Sequence, residues 1–391
     1  MLMRCLWITR QDPRSQDSGE LIYSLGLIRA LAAQPEVSLT VLAHHGKIRS
    51  EQNDEISWEL HGEIPKGRIP GILSRLPSDS WRLGNPVMRN ALKKFLNQGE
   101  WNWVVIDQAA CGWVLDHLPA GQRMAYIAHN HESSLRREVA RSPDGSLPLR
   151  LALRHDAAKY ATLENRICKR ACLISTITPR DGEIFQSANP SKSVVVLPPG
   201  YGREIGIEAP PAITLETPLK VVLAGTFEWI AKRRNLETFL EAASGPFRDK
   251  QIEFLVVGKA APKYFEALGA KYPWAAFHAN VPSMTPFLQG ARIGLIPEAL
   301  GGGFKLKALD YIFSGLPLAS IKSALSGIPV DPDVDCIAAA TPEELAKAVA
   351  AKIDDTEFLN RAAGAAFVKC RDQFDWASRG RLLASAMQNL S

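Results

Sequence analysis

The chain has 391 residues, 46% of them hydrophobic and 22% charged, with a formal net charge of +5. That length exceeds what one hydrophobic core organises, so two domains are expected, and the composition excludes a disordered chain. So small a charge excess does not point to nucleic acid, no interleaved aromatic and basic RNA-binding motif is present, and no apolar run reaches the roughly 20 residues of a membrane span.

The start, MLMRCLWITRQD, turns polar too soon for a secretory signal, so a cytoplasmic protein is expected. CLWITRQ is a short apolar strand. After the loop DPRSQDSGE, Leu21, Leu25, Ile28 and Leu31 repeat at helical spacing behind Ser18, a plausible cap. SLTVLAHH is the next strand, which completes a βαβ unit and implies a parallel sheet. WNWVVIDQ, MAYIAHN, CLISTIT and SVVV continue the strands, with a long helix LPLRLALRHDAAKYATLENRICKRA before CLISTIT. The proline-rich GIEAPPAITLETP reads as a linker.

A second alternating series starts at LKVVLAGTF. It continues through the helix NLETFLEAAS, the strand EFLVVGK, a helix near YFEALGAKY, and then FHANV, TPFLQGA and RIGLIPEA. The expected class is α/β, with two Rossmann-like doubly wound domains facing a cleft. The expected boundaries are 1–203, a linker at 204–218, a second domain at 219–370, and a C-terminal helix at 371–391 returning to the first domain.

All the excess positive charge falls in residues 1–200. The stretch RIPGILSRLPSDSWRLGNPVMRNALKKFL mixes apolar residues with Arg75, Arg82, Arg89, Lys93 and Lys94. It reads either as a charged outer helix face or as a peripheral contact with an anionic membrane surface. The six scattered cysteines fit neither a disulfide framework nor a zinc site, and no metal is expected.

The segment PEALGGGFKLKALDYIFSGLPL carries the chemistry. Three glycines follow a parallel-type strand, where open α/β sheets bind ligands, and a helix begins directly after them. Leu306, Leu309, Ile312 and Phe313 point to a core, while Gly315 and Pro317 stop the helix. A helix N-terminus bared of side chains and flanked by Lys305 and Lys307 suits a phosphate, and Asp310 suits sugar or ribose hydroxyls. A solvated lysine face with a Lys307–Asp310 pair is the competing reading.

GGGFKLKALDYIFSGLP resembles the donor motif of glycosyltransferases of the GT-B fold, those like glycosyltransferase family four. IAHNHESSLRREVA, LENRICKRACLISTITPRDGEIF, VVVLPPGYG and AGTFEWIAKRRNLETFLEAA resemble further family segments in the same order. Asp310 stands where relatives carry a ribose-binding glutamate. Gly302 stands where many carry a first glutamate that contacts the donor sugar, and Glu298 is the nearest substitute.

The resemblance implies an enzyme that moves a sugar from a nucleotide-diphosphate sugar to a hydroxyl of a saccharide or lipid-linked saccharide. Retention of configuration, independence of metal and a place in polysaccharide or lipopolysaccharide assembly are the family expectations; no further cofactor is implied. His129, Lys232 and Lys307 are the catalytic candidates. Gly19, Thr226, Arg233, Glu298, Gly301, Gly302, Gly303, Phe304, Lys305 and Asp310 are the donor-binding ones. A nucleotide-sugar 2-epimerase of the same fold and a non-catalytic nucleotide-sugar binding protein stand as alternatives.

Overall fold

The computed structural model describes residues 2–16, 18–46, 56–67, 71, 73–141, 146–300 and 303–390. The described chain divides into two compact units, Met1–Gly202 with Asp375–Ser391, and Arg203–Phe374.

The first unit holds a seven-stranded parallel sheet in the order β3-β2-β1-β4-β5-β6-β7. Its strands are β1 (Met3–Gln11), β2 (Val37–His44), β3 (Ser57–Leu60), β4 (Trp103–Asp107), β5 (Met124–Ala128), β6 (Leu173–Thr176) and β7 (Ser193–Val196). Those in the middle are continuous apolar runs because helices cover both faces; β4 and β5 are buried at every residue. Flanking helices include α1 (Gly19–Ala32), α2 (Ser78–Leu83), α3 (Pro86–Asn97), α4 (Glu132–Arg141), α5 (Leu147–Arg170) and α6 (Pro179–Ala188). Ser18 takes the cap position of α1 in extended geometry, but its side chain makes no capping hydrogen bond.

The second unit holds a six-stranded parallel sheet in the order β10-β9-β8-β11-β12-β13. Its strands are β8 (Lys220–Thr226), β9 (Glu253–Lys259), β10 (Ala275–Ala279), β11 (Ile293–Ile296), β12 (Leu318–Ile321) and β13 (Ile337–Ala339). They are joined and covered by α7 (Ile230–Asp249), α8 (Pro262–Lys271), α9 (Thr285–Gln289), α10 (Leu306–Phe313), α11 (Pro342–Lys352) and α12 (Thr356–Cys370). Phe239, Phe247, Phe254 and Trp274 form one aromatic cluster beneath α7.

The last helix, α13 (Trp376–Gln388), packs on α1 in the first unit. Asp375 caps it by accepting from the N–H groups of Ala377 and Ser378. The Trp376 ring fills notches at Gly26 and Gly200, where an added Cβ would lie 2.2 Å and 2.4 Å from it. Glycine is required there by close approach rather than by backbone angle.

The basic stretch at 68–97, read from sequence either as a charged outer helix face or as a membrane contact, contains α2 and α3. Residues 68–70 and 72 lie outside the described residues, but α3 turns Met88, Ala91, Leu92 and Phe95 into the core. Arg82 pairs with Asp79, and Arg89 donates to the carbonyl of Gly84. Lys93 and Lys94 lie exposed on the outer face of α3, while Leu73 and Val87 also remain exposed.

Candidate active site

Each sheet reverses its strand order once, between β1 and β4 and between β8 and β11. Strand ends that splay at such a reversal leave room for a ligand. In the second unit the pairing of β8 with β11 extends only over Ile293–Val221 and Gly294–Val222. Beyond it the Tyr311 hydroxyl enters between the strands, accepting from the Ala224 N–H at 2.7 Å and donating to the Leu295 carbonyl at 3.3 Å. Gly294 admits that ring, since a Cβ there would sit 2.4 Å from it.

Three charged side chains meet beside this splay. Glu298, just past β11, is 3% exposed. Its Oε1 accepts from Lys232 Nζ at 2.9 Å, in the first turn of α7, and from Lys307 Nζ at 2.5 Å, in the first turn of α10. Its Oε2 is buried and has no hydrogen-bond partner among the described residues. Burial alone would raise the Glu298 pKa, but Lys232, Lys307 and Lys305 reverse that and hold it far below the usual carboxylate range. Burial, only partly offset by Glu298, brings Lys307 down to about 8. Asn235 fixes the loop after β11 by bonding both the N–H and the carbonyl of Leu300.

Counting Lys305, three ammonium groups face one carboxylate, so the cluster carries a net positive charge. It lies at the N-terminus of α10, which receives no side-chain cap. A charged cluster of that sign at a helix N-terminus suits a phosphate.

Several of the other expected donor residues belong to the same unit. Thr226 is the last residue of β8 and half-buried. Lys305 is buried at the cap position of α10, Gly303 has φ of 74°, and the Phe304 ring lies 5.5 Å from that of Phe374. Gly315 ends α10 with φ of 78°, as a left-handed cap requires, whereas Leu306 is half-buried rather than core. Gly301 and Gly302 lie outside the described residues. The Lys307–Asp310 pair weighed from sequence does not form: Lys307 goes to Glu298, and Asp310 pairs with Arg203 at 3.2 Å. Arg233 stands apart from the lysines, donating to the Phe227 carbonyl and lying 4.7 Å above the Tyr264 ring.

In the first unit Gly19 opens α1 beyond β1, and His129 follows β5. His129 Nε2 lies 2.7 Å from Asp107 Oδ1, at the end of β4, while Trp7 Nε1 donates to Asp107 Oδ2 at 3.1 Å. Tyr23 meets the imidazole edge-on at 5.0 Å and is itself tied by its hydroxyl to the Leu197 carbonyl. Burial lowers the His129 pKa, but the Asp107 carboxylate outweighs it and the net direction is upward. The ring is thus held at Nε2, which leaves Nδ1 as its second polar atom.

His131 and Glu132 have different tasks from His129. His131 bonds Ser134, and Glu132 pairs with Arg136 four residues on. Glu164 on α5 caps α4 from outside, accepting from the N–H groups of Glu132 and Ser133, the Ser133 hydroxyl and the Tyr126 hydroxyl. Sequence reasoning missed Asp107, Asn235 and Tyr311 as site residues. Asp107 carried a signal, as the one charged residue closing an apolar buried strand.

Residues 218–355 match the family model of the group 1 glycosyl transferases. Solved structures share the fold over nearly the whole chain. Sucrose-phosphate synthase from Thermosynechococcus elongatus has a TM-score of 0.74 at 16% identity, with 99% of each chain covered. WaaG, described as a glycosyltransferase involved in lipopolysaccharide biosynthesis, has a TM-score of 0.65 at 17% identity, with 98% and 99% covered. HepE from Anabaena, solved with UDP and glucose, has a TM-score of 0.63 at 13% identity, with 99% and 100% covered. No curated protein matches the sequence.

Two parallel sheets with flanking helices, on the pattern of these structures, define the GT-B fold. The segment that matches the group 1 glycosyl transferase model lies within the second unit.

Proposed function

We propose that this enzyme transfers a sugar from a nucleotide-diphosphate donor to a hydroxyl of a saccharide or lipid-linked saccharide, with retention of configuration and without a metal. The observation that carries the reading is the buried Glu298 carboxylate shared by Lys232 and Lys307 at the head of α10. In this reading the donor diphosphate takes up the surplus positive charge of that cluster. As the glycosidic bond to the diphosphate breaks, negative charge grows on the leaving oxygen, and the two ammonium groups and the helix terminus stabilise it.

The buried, unpaired Glu298 Oε2 serves as the acceptor for a donor hydroxyl, taking the part of the glutamate that Gly302 replaces. Asp310 takes the ribose hydroxyls in exchange for its exposed partner Arg203. His129, oriented by Asp107, binds the transferred sugar or the acceptor hydroxyl through Nδ1. Assembly of a polysaccharide or lipopolysaccharide is the proposed setting.

A panel of nucleotide-diphosphate sugars incubated with saccharide acceptors tests the proposal. Acceptor-dependent release of nucleoside diphosphate with a new glycoside of retained configuration is expected. Sugar isomerised or freed without acceptor, or binding with no turnover, would replace it with an epimerase or a binding protein.

A further inference from the structure

The α4–α5 face of the first unit has no part in the chemistry above, yet it is built unlike an ordinary solvated surface. At the helical advance of 100° per residue, Leu147, Arg150, Leu151, Arg154 and Ala158 fall within about a quarter to a third of the circumference of α5. Leu147 is 66% and Leu151 56% exposed, and Arg154 and Ala158 are exposed with them. The stripe runs into a groove of about 570 Å³ whose walls carry Arg137 and Arg141 from α4 and Arg154 from α5, over a floor of alanines.

Among the described residues these three arginines make no hydrogen bond or ion pair, and Arg150 Nε is buried without a partner. Among the described residues the acids nearby do not neutralise them. Glu138 is an exposed single charge on α4, and Asp156 faces the other side of α5, where it accepts from the Ser78 N–H. Unpaired arginines alone would suit any polyanion. Two leucines projecting from the same stripe select a partner that offers anionic groups above an apolar interior.

We propose that this face docks the protein on an anionic phospholipid bilayer. The leucines at the start of α5 enter the acyl boundary, and the groove arginines take lipid phosphates. Apolar burial and attraction to anionic headgroups then act together, as they do for interfacial helices.

Sedimentation of the full chain with phosphatidylglycerol-containing vesicles tests it and reads no catalytic step, so its outcome is independent of the donor site. The parent chain is expected to sediment with these vesicles and not with phosphatidylcholine alone. Replacing Arg137, Arg141 and Arg154 by glutamine should weaken partitioning roughly 100-fold, at about fivefold per arginine. Leu147→Ser with Leu151→Ser, which keeps the charge, should weaken it at least about tenfold. If the triple variant melts early, Arg154→Gln alone is read for the fivefold loss. A parent that stays in solution, or arginine variants that sediment like the parent, would overturn the proposal. An arginine effect without a leucine effect would overturn it in favour of a soluble polyanion, and loss on charge reversal of Lys93 and Lys94 alone would show the surface to be misplaced.

Discussion

Lys307 and Glu298, nine residues apart on either side of the glycine run, are joined by a 2.5 Å contact between Nζ and Oε1. Lys232 reaches the same oxygen from another helix. The unliganded site therefore stores its positive charge against an internal carboxylate, with more cation than anion present.

Glu298→Gln removes that counter-ion. Breaking a buried pair costs about 3–5 kcal/mol, and the partial exposure of Lys232 discounts it, so a loss of about 2–3 kcal/mol in the unliganded protein is expected. Nucleoside diphosphate should restore part of it, because phosphate charge replaces carboxylate charge. Urea denaturation with and without nucleotide checks both halves.

The depressed Lys307 pKa gives two effects of opposite sign. Its folded value of about 8 lies below the unfolded 10.5, so the unfolded chain binds more protons between them. Unliganded stability should therefore gain from this group as pH rises from about 8 to 10.5, and Lys307→Met should abolish the gain. Nucleotide affinity should fall above pH 8 by up to about tenfold per unit, as the ammonium is lost. Melting curves and binding titrations across that range read the two separately.

Asp107→Asn tests the histidine arrangement. The folded His129 pKa lies above its ordinary 6.5, so its stabilisation is fully present below that value and is lost as pH rises through the folded one. The gap in stability between parent and variant should be widest near pH 6 and narrow toward pH 9. Denaturation midpoints at the two pH values decide it.

Gly294→Ala would press a methyl group against the Tyr311 ring and disturb the splay of β8 and β11. A cost of about 1–3 kcal/mol is expected, with weaker nucleotide binding. Gly364→Ala in α12, where nothing lies within 4 Å, should instead stabilise by about 0.5–1 kcal/mol. Thermal melts of the two variants should move in opposite directions.

Much of this arrangement was legible from period and punctuation. EFLVVGK is β9 residue for residue, and the long helix before CLISTIT ends within a residue of α5. The short strands β3, β12 and β13 were not legible, because each holds at most one β-branched residue, whereas the equally short β6, β7 and β11 hold two or more. In the site, Lys232, Lys307 and Glu298 were each marked by type and position. That one carboxylate holds both lysines depends on β8 and β11 lying side by side, a pairing across more than sixty residues that local pattern does not encode. Tyr311 was hidden for a related reason: its helical position reads as core, and only the glycine opposite shows what its hydroxyl does.

The central claim is that Lys307 and its neighbours grip a diphosphate. Calorimetric titration of UDP, GDP and ADP into the parent and into Lys307→Met tests it most directly. Saturable binding of at least one nucleotide by the parent, weakened at least about tenfold in a variant that melts as a folded protein, is the predicted result. Equal affinity in the two would contradict the account.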